Sequence, residues 1–124
     1  MSQPQNLNQW IGEGNISCDP IVRFTAGSNR PVTNFHIYVD NMYKSKKTSS
    51  FNNEITFKKR TSKIPVVAWA GKAEMIAKYY AKGDKVRLVG RLRTRSVEKD
   101  GICFNAFEIV VENISLIRKA NQQD

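Results

Sequence analysis

The chain has 124 residues, which suits one domain with a single packed core and leaves little room for a second. Apolar residues make up 40% and charged residues 25% of the sequence, which argues against wholesale disorder. The net charge is +9, and such a surplus on a small domain favours a polyanionic partner. No apolar run approaches the ~20 residues of a membrane span, and the amino terminus lacks signal-peptide character. A soluble, cytoplasmic protein is therefore expected.

The first third of the chain predicts a tail and two strands. Residues 1–6 are expected to be flexible, and Trp10–Ile16 is predicted to be a strand whose two glycines mark a bulge or a close backbone approach. This strand is expected to continue through residues 21–25. Residues 26–31 have turn chemistry, and residues 32–41 alternate between apolar and polar side chains, which predicts a half-buried strand.

The middle third predicts a hairpin, a strand and a helix. Residues 44–53 are polar and are expected to form a mobile loop, with residues 55–63 as the return arm of a long hairpin. Residues 64–69 form a compact apolar strand. Residues 73–81 are rich in helix formers with one apolar stripe, and Gly83 stands where a helix C-cap is expected.

The last third predicts a hairpin of two long strands. Residues 85–97 and 104–117 alternate, and Lys99-Asp100-Gly101 forms the turn between them. Strands with one helix between the third and the fourth fit an all-β fold with one helix, a five-stranded Greek-key barrel of the OB type. The expected domain covers residues 7–118, followed by a short tail at residues 119–124.

Basic side chains are concentrated in two segments. One face of the fourth predicted strand carries Arg87, Arg91, Arg93 and Arg95, and no acidic residue lies between positions 85 and 95. This pattern predicts a phosphate-binding face, and the alternative is an edge strand kept soluble by charge. The hairpin is also basic, with Lys44, Lys46, Lys47, Lys58, Lys59, Arg60 and Lys63 against Glu54. The candidate polyanions are nucleic acid first, then an anionic membrane surface or an acidic protein.

Aromatic residues lie between these basic segments. Tyr43 flanks the hairpin loop, Phe51 and Phe57 lie within the hairpin, and Trp69 ends the third predicted strand. Such residues can stack on nucleic-acid bases whatever the base. Three other phenylalanines fit the core alternation and are expected to be packing residues: Phe24, Phe35 and Phe107.

Signs of catalysis and metal binding are scarce in the sequence. Common nucleotide-binding, metalloprotease and hydrolase motifs are absent. Cys18 and Cys103 form no metal-binding pair and are expected to be buried or free thiols. Glu108 and Glu112 are expected to lie on a solvated strand face, and His36 on a strand surface or in a groove. We therefore expect no enzyme activity, no cofactor and no metal.

Several motifs occur in an order and spacing that resemble the DNA-binding domain of bacterial-type single-stranded DNA-binding proteins (SSB). The similarity runs from about residue 7 to residue 117. Its most specific pieces are Gly14-Asn15-Ile16, Asn34-Phe35, Pro65-Val66-Val67-Ala68-Trp69, Gly90-Arg91-Leu92-Arg93-Thr94-Arg95-Ser96, Glu108-Ile109-Val110 and Glu112-Asn113-Ile114.

The resemblance implies an OB fold, sequence-tolerant binding of single-stranded DNA and a homo-oligomer, either tetramer or dimer. By position, Trp69 and Tyr43 match stacking aromatics of the family. Arg93 and Arg95 match phosphate-contacting residues, and Lys46 matches a basic contact in the hairpin.

Departures from the family pattern modify these expectations. His36 falls on the groove side of the second barrel strand, but Lys63 and Val97 stand where the family usually has aromatic stackers. Binding is therefore expected to depend strongly on charge, with log K falling by about 0.7 per phosphate contacted as log salt rises. The acidic C-terminal tail common in the family is absent after Asp124. Truncation and a naturally short form both fit this ending.

The expected function is to protect single-stranded DNA in replication, recombination, repair or transfer, in a cytoplasmic, nucleoid-associated protein. Single-stranded DNA is the expected partner, without a membrane or a small-molecule substrate. The main alternative is an OB-fold adaptor of a primosome or recombination complex with weak DNA binding. An RNA-binding OB domain ranks third, and an enzyme ranks last.

Overall fold

The computed structural model describes residues 6–46 and 55–120, without the side chains of residues 45, 46, 55 and 56. This part of the chain contains one helix and six strands. Their bounds are β1 Trp10–Ile16, β2 Arg23–Phe24, β3 Pro31–Lys46, β4 Ile55–Trp69, α1 Gly71–Tyr79, β5 Lys85–Lys99 and β6 Ile102–Arg118.

Five of the strands close into a barrel. The hydrogen-bonded order is β1-β5-β6-β4-β3, and β3 pairs again with β1, while β2 adds a two-residue edge to β3. β4 and β6 pair in parallel, and the other pairs are antiparallel. Helix α1 lies between the third and the fourth barrel strand along the chain. The predicted OB-type barrel with one helix is confirmed.

The barrel core contains the apolar side chains of the alternating strands. Phe35 and Ile37 point inward from β3, whereas their neighbour Asn34 is exposed, as the alternation predicts. The buried core cluster comprises Ile16, Phe35, Ile37, Val66, Ala68, Ala73, Ile76, Val86, Leu88, Ile109, Val111 and Ile114. The residues that alternate with these core residues along each strand therefore face the outside of the barrel.

Two antiparallel ribbons extend beyond the barrel. The β3–β4 ribbon remains paired as far as Lys46 and Ile55, so β3 is longer than predicted, and the two segments predicted over 55–63 and 64–69 form one continuous strand. The β5–β6 ribbon ends in the predicted Asp100-Gly101 turn. Both turn residues have positive φ (54° and 76°), the conformation that such two-residue turns require.

The predicted continuation of β1 through residues 21–25 is wrong. The chain bends after Ile16, and only Arg23–Phe24 of that segment pairs with β3. The close backbone approach predicted from the glycines is confirmed at Gly14, where an added Cβ would collide with the carbonyl oxygen of Tyr38.

The helix begins and ends two residues earlier than predicted. It buries Ala73 and Ile76 against the barrel. Gly83 is not the C-cap, because the helix has already ended at Tyr79 and Tyr80 is extended. Instead Gly83 has φ of 90° in the turn that leads into β5, where its N–H donates to the carbonyl of Ile16 at 2.8 Å.

A buried carboxylate, missed by the sequence analysis, fixes the end of the barrel. Asp84 accepts hydrogen bonds from the backbone N–H groups of Ala81 (2.9 Å) and Ala120 (3.0 Å), and pairs with Lys119 Nζ at 3.0 Å. Burial by itself would raise the pKa of Asp84, but these donors outweigh it and lower the pKa. Residues 119 and 120, assigned to the tail by the sequence analysis, are therefore held against the domain.

Candidate nucleic-acid interface

The arginines predicted from the sequence share one outer face of the sheet. Core residues Val66 of β4 and Ile109 of β6 are paired, so by parity the next pair along, Val67 and Val110, points outward, although Val67 is itself only 1% exposed. Arg91 of β5 is paired with Val110 of β6, and therefore points outward as well. We call the outward side of β3, β4, β6 and β5 the outer face. By strand parity it carries His36, Lys63, Trp69, Arg91, Arg93 and Arg95.

A groove on this face surrounds Trp69. It has a volume of about 550 Å³, and its cationic lining residues are Arg30, Lys72, Arg91 and Arg93. The guanidinium carbons of Arg30 and Arg93 lie 4.9 Å and 5.7 Å from the centroid of the indole ring. Both distances are within the range of cation–π attraction. We call this site the Trp69 groove.

Arg30 was missed by the sequence analysis because it belongs to a turn far from Trp69 in the chain. Pairing of Val32 with Trp69 brings the two together, and the N–H of Ala70 donates to the carbonyl of Pro31 at 2.8 Å. No local signal in the sequence marks this position. Only the pairing of β3 with β4 shows that the turn overlies the indole.

The second groove lies where β4 and β6 separate. It has a volume of about 400 Å³, and its polar lining includes Arg23, Asn34, His36, Arg95 and Glu108. Arg23 donates to Asn34 Oδ1 at 2.7 Å. Burial, with a contribution from the charge of Lys63, lowers the pKa of His36. The lowered pKa favours the neutral form of the imidazole, and we call this site the His36 groove.

The arginine face carries carboxylates from the neighbouring strand, although no acidic residue lies between positions 85 and 95. Glu108 on the neighbouring strand β6 pairs with Arg93 at 2.9 Å and with Arg95 at 3.0 Å. Its predicted place on a solvated face is wrong, since Glu108 is only 5% exposed. Glu112 is exposed as predicted and pairs with Arg91 at 3.3 Å. The three arginine side chains keep 43–62% of their surface exposed, so phosphates can still reach them.

The predicted hairpin residues lie on the β3–β4 ribbon. Tyr43 is opposite Lys58, and the guanidinium of Arg60 lies 5.1 Å from its ring. Phe57 and Lys59 are exposed on the same ribbon. The backbone of Lys46 ends β3, while its side chain, together with residues 47 and 51, lies outside the described part of the chain.

Arg87 lies apart from the other predicted arginines. It is exposed on β5 opposite Glu13 of β1 and Ser115 of β6, and it lines neither groove. The structure thus brings Trp69, Arg91 and Arg93 together in one groove, and His36 and Arg95 in the other.

Two of the three phenylalanines expected in the core are exposed. Phe35 is buried as predicted, but Phe24 is 59% and Phe107 58% exposed. Phe107 has the core-facing parity of β6, but it lies beyond Ile109, where β6 has already left β4 and nothing covers it from that strand. Phe24 lies in the short edge strand β2, outside the barrel.

The remaining chemistry of the described residues is sparse. Cys18 and Cys103 are free, exposed thiols. Residues 6–46 and 55–120 contain no group of three or more side chains suited to a metal ion. Within the same residues, no helix has the length and apolar character to cross a membrane.

The closed barrel and its cationic, aromatic grooves define an OB-fold domain of the kind that engages nucleic acid. Among solved structures, the Plasmodium falciparum SSB complex with ssDNA matches with a TM-score of 0.76 and 21% sequence identity, covering 94% of this chain and 98% of that chain. That similarity supports the fold.

Sequence comparison identifies the family. The model of the single-strand binding protein family matches residues 7–117. The single-stranded DNA-binding protein of Clostridium tetani is 33% identical over 118 residues, covering 94% of this chain and 74% of the relative. Single-stranded DNA-binding protein 3 of Clostridium acetobutylicum is 32% identical over 112 residues, covering 90% and 71%. The chain belongs to the single-strand binding protein family, which confirms the resemblance found in the sequence.

Proposed function

We propose that this protein binds single-stranded DNA with little sequence preference and protects it in replication, recombination, repair or transfer. One observation carries the proposal: an indole flanked by two guanidinium groups lies in an open groove on the arginine-bearing face. Membership of the single-strand binding family supports the same substrate.

Binding would combine backbone charge with stacking. Arg91, Arg93 and Arg95 alternate along β5, so their side chains are about 6.6 Å apart along the strand, a separation suited to an extended polynucleotide. Trp69 offers a flat ring to any base, and such stacking is worth about 1–3 kcal/mol per base. Neither contact reads base edges, so the proposed binding tolerates any sequence.

The accompanying proposals are a binding protein without catalytic activity, a homo-oligomer and a place in the cytoplasm beside the nucleoid. Family membership supports the first two. The adaptor alternative is not favoured, because the chain retains both the aromatic and the cationic parts of a DNA-binding groove.

The test is a titration of the protein with oligo-dT, followed by tryptophan fluorescence. A Trp10→Phe variant leaves Trp69 as the single reporter, since Trp10 and Trp69 are the two tryptophans of the sequence. We expect quenching at low salt that is reversed by added salt, with weaker binding of duplex DNA. Oligo-U serves as the competitor that distinguishes an RNA preference. Absence of oligo-dT binding at low salt would exclude the proposed function.

A further inference from the structure

The outer face continues beyond the grooves onto the β5–β6 ribbon, the paired segment 94–107. Directly opposed residues of an antiparallel pair point to the same side. Because Arg95 is opposite Ala106, and Val97 is opposite Phe104, the Phe104 ring lies on the same side as the arginines. The contacts of Glu108 with both Arg93 and Arg95 confirm that these side chains share one side.

This part of the ribbon exposes apolar side chains between cationic ones. Phe104 is 47% and Ile102 66% exposed, and Lys99 lies opposite Ile102. Along the ribbon, the guanidinium of Arg95 is therefore followed by the apolar pair of Val97 and Phe104, and then by the ammonium group of Lys99. An exposed cluster of large apolar side chains indicates a binding surface when core packing does not require it.

We propose that Phe104, flanked by Val97 and Ile102, is a base-stacking platform that extends the single-strand path from the Trp69 groove along the β5–β6 ribbon. Arg95 and Lys99 would hold the phosphates on either side of the stacked base. This inference rests on the proposed function. Arg91 to Lys99 covers nine residues of β5, and the eight steps between them span about 26 Å, a length compatible with the ~4–16 nucleotides that one OB fold engages.

Charge favours a polynucleotide over a second copy of this chain as the occupant. If the same side of two ribbons packed together, Arg95 and Lys99 of both copies would be brought into one interface, where like charges repel. A single strand offers bases for the apolar pair and phosphates for the flanking cations. The path is also continuous with the grooves already described.

The chain supplies a matched control for the test. Tyr79 on helix α1 is an aromatic residue of similar exposure, and it lines neither groove. Affinity for fluorescein-labelled dT of increasing length would be measured by anisotropy for Phe104→Ala and Tyr79→Ala. We expect about a tenfold loss for Phe104→Ala on long oligomers, and less than a twofold change for Tyr79→Ala.

Two further measurements distinguish the loss of base stacking from other causes of a lower affinity for dT. The slope of log K against log salt should stay unchanged in Phe104→Ala, because no phosphate contact is lost. A triple variant with Phe104→Trp, Trp10→Phe and Trp69→Phe carries its single tryptophan at the proposed platform. Binding of dT should quench the fluorescence of that tryptophan. This variant also tests the platform if Phe104→Ala fails to fold, which thermal melting would report.

Equal losses in Phe104→Ala and Tyr79→Ala would overturn the inference, as would unquenched fluorescence in a Phe104→Trp variant that still binds dT. A change in mass by light scattering without a change in affinity would make the patch an interface between copies. In each of these cases wild-type binding of dT would leave the proposed function intact. If the wild-type protein does not bind dT, the proposed function itself fails.

Discussion

Glu108 is the clearest place to test how charge is arranged on the outer face. Its carboxylate contacts Arg93 and Arg95 at 2.9 Å and 3.0 Å, so a phosphate on either guanidinium would stand about 6 Å from it. At that distance the repulsion is about 0.7 kcal/mol at ε ≈ 80 and about 2.8 kcal/mol at ε ≈ 20. Glu108→Gln keeps an acceptor for the arginines and removes this repulsion. We expect affinity for dT at low salt to rise about tenfold.

The same substitution should lower stability. Two charge-assisted contacts become neutral, but both arginines are partly exposed, so the expected loss is about 1 kcal/mol, or about 3–5 °C in Tm. The assays are dT titrations by anisotropy and thermal melting. Glu112→Gln is the control, because exposed Glu112 pairs with Arg91 and should change affinity less than threefold. Weaker DNA binding by a folded Glu108→Gln protein would refute the reasoning and show that the carboxylate mainly positions the arginines.

Three further predictions concern charge and pH. Arg93→Ala should reduce the slope of log K against log salt by about 0.7, whereas Arg87→Ala, which lies outside both grooves, should change it much less; equal slopes would contradict the assigned path. Asp84→Asn should cost about 2 kcal/mol in urea unfolding at pH 7. Because the pKa of Asp84 is lowered, its contribution is present above pH ~4 and is lost as the pH falls through the folded-state pKa, so the stabilities of the two proteins should converge in acid. Since the pKa of His36 is lowered from its ordinary value of 6.5, acidification below that value should progressively charge it and strengthen dT binding, and His36→Gln should abolish that increase relative to wild type.

Alternation of apolar residues predicted the barrel strands in part. Phe35 and Ile37 are buried while Asn34 is exposed, as a period of two requires, but in β4 the consecutive residues 66–68 are all buried. The alternation also fails for Phe107, because parity shows which side a residue faces but not where the neighbouring strand ends. The extent of β4–β6 pairing depends on tertiary structure, which one strand's sequence does not contain.

The candidate site was predictable in its dominant residues and not in its electrostatic balance. Trp69 and the arginines of β5 stand out in the sequence by type and spacing. Glu108 and Arg30 do not, because each becomes significant only through a partner on another strand. The lack of acidic residues over positions 85–95 describes β5 alone. The electrostatic field at the outer face also depends on the carboxylates of β6.

The most direct test of the central claim is to locate the bound strand. Oligo-dT carrying 5-iodouracil would be cross-linked to the protein by light, and the modified residues found by mass spectrometry. Trp69 should be the principal adduct on the outer face, and exposed Tyr79 on helix α1 should remain unmodified. Adducts at Tyr79 with Trp69 unmodified would contradict the account.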